Sequence, residues 1–193
     1  MSNLITSNKL EQIKNDFYSE NGGKKLFFKN KQKFEIANQI CNTFNIKELL
    51  SESMYIIPNK KCIYFNYELV KLFLTQEISN EIFNHMVEIY DSCIRDYGKL
   101  VIHININSLT ISAAERYKSL IIAIIQKLEK MSIEINICYS DYIENITFYN
   151  IPSFLHSFIL LFKPYIAKDE VFNNITLYKK NESEKKLNEL FTE

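Results

Sequence analysis

Three histidines, four cysteines, two loop serines and a few carboxylate pairs are the groups in this 193-residue chain that could do chemistry. His85, His103 and His156 fall on three different segments, and none has a second His or Cys three or four residues away. A metal site needs several ligands converging, usually with short local spacing. Cys41, Cys62, Cys93 and Cys138 stand far apart and form no CxxC pair. Dispersed cysteines of this kind are expected as reduced thiols, with Cys62 and Cys93 acting as small buried hydrophobes. Ser108 or Ser112 could serve as a nucleophile, but Ser112, three residues before Glu115, has capping-box spacing and is better used as a helix cap. Asp169 and Glu170 adjoin in what reads as an exposed turn. The glycine-rich phosphate loops, the GxSxG elbow and HExxH are all missing from the text, which holds three glycines. A non-enzymatic protein with no metal and no cofactor is therefore expected.

His103 is the exception among the histidines. Residues 100–106 read LVIHINI, in which Leu100, Ile102, Ile104 and Ile106 point one way and Val101, His103 and Asn105 the other. If the second face lines a cavity, His103 and Asn105 are its polar groups. If it packs on a helix, they bond to neighbours.

The elements around this strand alternate. Residues 33–44 have helical spacing, with Phe34, Ala37, Ile40, Cys41 and Phe44 on one face, after a plausible short helix over 10–18 that Gly22-Gly23 breaks. Residues 46–50 suggest a further short helix. Residues 54–57 and 62–67 are β-rich runs around Pro58, and 68–74 reads as a helical turn or loop. Ser79 reads as the cap of a helix to Tyr97, which Gly98 stops. A helix from Ser112 to about Lys130 follows, then strands over 133–138, 146–149 and 175–178, and a terminal helix over 183–191. This order predicts an α/β fold: a mixed, mostly parallel sheet flanked by helices, with 100–106 central and a short helical N-terminal extension. The expected divisions are an extension over 1–52, an α/β domain over 53–180 and a helix or tail over 181–193.

Composition bounds the partners. The chain carries 23 basic and 23 acidic residues, so a general electrostatic grip on nucleic acid is not expected. The opening MSNLITSNKLEQIKND is polar and shows no leader pattern, and a cytoplasmic setting is expected. Fourteen Phe and twelve Tyr supply far more aromatic surface than polar chemistry.

One stretch concentrates that surface. Residues 149–178 read YNIPSFLHSFILLFKPYIAKDEVFNNITLY. Pro152 and Pro164 bracket a run that is charge-free from Ser153 to Phe162, with Phe154, Leu155, Phe158, Ile159, Leu161 and Phe162 covering more than one helical stripe. A helix apolar on nearly all sides is buried or touches something apolar that is not protein. It is too short to span a bilayer.

The order strand, Asn-x-Pro, apolar helix, Lys-Pro-Tyr-Ile, acidic turn, strand resembles the C-terminal half of CRAL-TRIO lipid-binding domains, closely over some thirty residues and loosely over 54–178. The resemblance implies a gate helix over 153–166 and a hydrophobic ligand, with Phe154, Phe158, Leu161, Phe162, Tyr165, His103 and Asn105 facing it. It also implies lipid binding or transfer by transient membrane contact. The block 63–140 is similar to STAS domains as well, where Ser108 or Ser112 would approximate the loop serine. That alternative implies a protein-interaction module without ligand. The two families share a related layout.

Overall fold

A computed structural model of the chain describes residues 2–25, 29–155 and 170–192. Its organising strand is β3 (Leu100–Asn105), the middle of a five-stranded sheet with β1 (Met54–Ile57), β2 (Cys62–Asn66), β4 (Ile143–Ile151) and β5 (Ile175–Lys179) in sequence order. β1 and β2 form an antiparallel hairpin, and every later neighbour is parallel. The fold is therefore α/β with a mixed, mostly parallel sheet.

Sequential parallel strands need crossover connections, and right-handed crossovers stack the connecting helices on one face. That face carries the isoleucine side of β3. Ile63, Leu100 and Ile102 pack with Ile89 and Cys93 of α5 (Ser79–Tyr97) and with Leu128 and Met131 of α6 (Ile111–Ile135). Leu100 is 0% and Ile102 5% exposed. Each such side chain contributes about 1.5–3 kcal/mol by leaving water. Cys62 and Cys93 are both buried, as small core residues.

A second core lies off the sheet. The helices α1 (Ser2–Glu20), α2 (Lys29–Thr43) and α3 (Ile46–Ser53) precede the first strand. Leu10, Ile36, Ile40, Leu49 and Leu50 from these helices pack on Leu69, Val70, Leu72 and Phe73 of α4 (Tyr67–Phe73). The helical N-terminal segment thus shares its core with the crossover after β2. Gly22 and Gly23, at φ 70° and 84°, make the turn that ends α1.

The opposite sheet face carries α8 (Lys180–Phe191), which follows the short α7 (Glu170–Asn173) and β5. Leu187 and Leu190 of α8 rest on Cys62, Tyr64, Tyr55, Ile57 and Val101. No helix among the described residues is long and apolar enough to cross a membrane.

The structure corrects several expectations. Residues 133–138 are not a strand: α6 runs on to Ile135, and Asn136, left-handed at φ 53°, ends it. The alternation of Ile133, Ile135 and Ile137 leaves all three exposed, Ile133 at 81%. The strand expected at 146–149 instead spans Ile143–Ile151 and pairs directly with β3. Ser112 is not the cap of α6; Thr110 takes that place, its Oγ1 accepting from the Ala113 N–H at 3.3 Å. Ser79 is the first residue of α5 and makes no side-chain cap bond. Phe34 is 48% exposed, and the buried stripe of α2 is Ile36, Ala37 and Ile40. Residues 68–73 belong to the well-buried α4, which Asn66 caps by accepting from the Glu68 N–H and which ends at Leu74. The 3₁₀ turn Tyr139–Tyr142 precedes β4, and the Tyr139 hydroxyl donates to Asp91 Oδ1 at 2.6 Å.

Candidate functional site

Parallel pairing aligns apolar residues into rows across the helix-covered face. One row is Ile63, Ile102, Ile146 and Ile175; the next is Phe65, Ile104, Phe148 and Leu177. The second row, like the first, has its two middle members on interior strands, where burial is expected. All four of its members are only partly buried, as are Ile146 and Ile175 of the first row, whereas Ile63 and Ile102 are buried. All four members of the second row pack, with Leu109, Tyr117 and Ile151, against Tyr67, Ile106, Ala113 and Leu155, which are buried together toward the carboxyl ends of the strands. From α6, Tyr117 packs against this cluster, Leu128 against that of Ile102, and Ile124 against that of the N-terminal helices. Among the described residues the apolar face of the sheet thus holds a row that is packed yet keeps partial exposure.

Of the residues expected to face a ligand, Phe158, Leu161, Phe162 and Tyr165 lie outside the described residues, as does the body of the expected helix over 153–166. Phe154 is partly buried, at a turn directly after Pro152. Leu155, beside it, is anchored in the cluster of Tyr67 and Ile106.

His103 and Asn105 lie on the other sheet face and bond to neighbours. His103 Nδ1 is 2.8 Å from the Tyr149 hydroxyl, with the rings stacked at 5.8 Å. Burial lowers the His103 pKa. Asn105 is a hub. Its Nδ2 donates to the Tyr64 hydroxyl at 3.2 Å, and its Oδ1 accepts from Asn150 Nδ2 at 2.9 Å and from the Asn107 N–H at 3.1 Å. Asn150 is left-handed at φ 58°, and its own N–H donates to Ser183 Oγ at 2.7 Å. Ser183, fully buried in α8, donates in turn toward the Lys179 carbonyl. This belt ties β2, β3, β4 and α8 together at the carboxyl end of the sheet. Burial pushes the Tyr64 phenol up to about 12, so it remains a neutral partner.

A third group was not anticipated as a pair. Ser108, in the loop after β3, has φ 64° and is exposed. Lys71 Nζ of α4 donates to its Oγ at 2.6 Å. Ser108 was singled out by type, but no local spacing announces Lys71, which arrives from another crossover.

A shallow open depression of about 460 Å³ lies along Asn181, Glu184, Lys185, Asn188, Glu189 and Thr192 of α8. These are exposed polar side chains of α8, whereas its buried face runs through Ser183, Leu187 and Leu190. The depression takes in none of the candidate residues. Among the described residues no cluster of His, Cys, Asp and Glu is arranged to hold a metal ion. Comparison with protein-family models, with curated proteins and with solved structures returned no match for this chain.

Proposed function

We propose that the chain is a non-enzymatic module that binds a hydrophobic small molecule, a lipid in the reading that its resemblance to CRAL-TRIO domains suggests. One observation carries the reading: Phe65, Ile104, Phe148 and Leu177, a complete apolar row on the helix-covered face, retain exposure where an α/β core is normally closed. A hydrocarbon chain laid along that row gains about 0.8 kcal/mol per buried methylene. The connection from Leu155 to Val171 joins the parallel strands β4 and β5, and its residues 156–169 lie outside the described residues. Phe158, Leu161, Phe162 and Tyr165 belong to that connection and Phe154 adjoins it; in this reading they would supply the outer wall. His103 and Asn105 act from the other face, as the hydrogen-bonded support of β3 and β4. Transfer would add membrane contact and exchange of the ligand.

Native mass spectrometry of the gently purified full chain tests the reading. The expected result is a discrete adduct of lipid mass that organic extraction removes, with a lower thermal midpoint afterwards and recovery on adding lipid back. A bare mass together with no stabilisation by any long-chain lipid would overturn it.

A second reading, a protein-interaction module of STAS-like layout, is favoured by a different observation. Ile133, Ile135 and Ile137 are exposed together at the end of α6. Three exposed isoleucines within one short stretch of chain fit a partner contact.

A further inference from the structure

The contact between Lys71 and Ser108 takes no part in the core, the sheet or the polar belt, and it stands beside the apolar cluster whose outer members keep partial exposure. Tyr67 is one helical turn before Lys71 on α4, and Leu109 follows Ser108 directly. Both belong to the apolar cluster with Ile106, Tyr117 and Leu155. A charged donor and a hydroxyl therefore sit at the rim of an apolar surface.

The charge on Lys71 is weakly answered. Glu68 Oε1 stands 3.8 Å from its Nζ, beyond hydrogen-bond reach, whereas the neutral Ser108 hydroxyl is at 2.6 Å. Glu11 and Lys14 of α1 also act on Lys71 electrostatically, but they pair with each other at 2.5 Å. Burial is the largest influence on the Lys71 pKa and lowers it, so its lost hydration is not fully compensated. An ammonium has three donors, of which Ser108 takes one, and Ser108 in accepting that bond keeps its own O–H free to donate.

We propose that Lys71 Nζ and Ser108 Oγ seat the oxyanion head of an amphiphile, a carboxylate or phosphate on a hydrocarbon chain, with the chain running over Tyr67, Leu109 and Tyr117 toward Ile104 and Phe148. The proposal rests on the hydrophobic-ligand reading above and specifies the ligand's chemical class. Its left-handed backbone turns Ser108 out of the line of β3 to the side of α4, which brings two elements to one headgroup.

The test compares oleate with oleyl alcohol at pH 8, measured by calorimetric titration on the delipidated full chain. The wild-type protein should bind oleate about tenfold or more tighter than the alcohol, the size expected of a charge-assisted hydrogen bond. Lys71→Met keeps the stem and removes the charge; it should bring oleate down to the level of the alcohol and leave the alcohol unchanged. Ser108→Gly accepts the positive φ and removes only the hydroxyl, so it should weaken oleate several-fold in a protein that folds normally. Equal affinity of the wild type for acid and alcohol would overturn the headgroup seat while leaving the hydrophobic site standing. Binding of neither would overturn both. Inorganic phosphate alone, binding as tightly as oleate, would overturn the amphiphile and show a free-anion site instead.

Discussion

Ile102 and Ile104 offer a controlled comparison. Both are mid-strand residues of β3, both face the helices, and both are flanked by paired neighbours on β2 and β4. Substituting either with Ala removes the same atoms and the same strand preference, so those contributions cancel in the difference. What remains is the surroundings. Ile102 is 5% exposed and packed in the cluster of Ile63, Ile89, Cys93 and Tyr139. Removing three carbons there forfeits their transfer energy and leaves a void, which places the cost at about 3–5 kcal/mol. Ile104 is only partly buried, so a smaller transfer term is lost and the void is smaller, about 1–2 kcal/mol. The expected gap is roughly 2 kcal/mol, or about 0.8 M in the urea midpoint at an m-value of 2–3 kcal/mol/M. Circular dichroism followed through urea titrations of the ligand-free wild type and both variants would measure it. Equal midpoints for Ile102→Ala and Ile104→Ala would refute the partial exposure of the row at Ile104, and with it the observation on which the ligand reading rests.

Three further outcomes are expected. Tyr139→Phe should cost about 1.5–3 kcal/mol, because the buried hydroxyl loses its bond to the Asp91 carboxylate; unchanged chemical stability would show that bond to be idle. Ser183→Ala should cost about 1–3 kcal/mol and speed amide exchange at Asn150, whose N–H it leaves without an acceptor; exchange at the wild-type rate would mean that the belt does not hold the end of β4. His103 should make stability pH-dependent. Burial holds its folded pKa below the ordinary value near 6.5, so the unfolded chain takes up the proton first. Stability should fall as pH drops through 6.5 and level off below the folded pKa. In His103→Gln, the loss of stability between pH 7.5 and 5.5 should be smaller than in the wild type, and an unaltered slope would assign the dependence to other groups.

What could be read without coordinates was what repeats locally. The period-two pattern of Leu100, Ile102, Ile104 and Ile106 marks β3, because alternate side chains of a strand share a face whatever surrounds it. Gly98 marks the end of α5 for an equally local reason, since its φ of 70° suits a residue without Cβ. The same alternation misleads at 133–138. Ile133 and Ile135 belong to the last turn of a long helix, which Thr110 starts and Asn136 ends, and a six-residue pattern cannot outweigh the propagation of twenty-five.

His103 and Asn105 were legible as polar residues on one side of β3, but the sequence leaves open what that side meets. Tertiary structure decides it. Tyr64 of β2 and Tyr149 and Asn150 of β4 satisfy them, and α8, returning across the sheet, brings Ser183 to hold Asn150. The pairing of Lys71 with Ser108 is of the same kind, since the residues lie on different crossovers and no spacing along the chain encodes their approach. The partly exposed row of Phe65, Ile104, Phe148 and Leu177 is likewise a property of four strands in register. Periodicity tells which face of each strand is apolar. How tightly a helix then closes on that face depends on the length, tilt and anchoring of elements far away in sequence, and these exist only once the chain is folded.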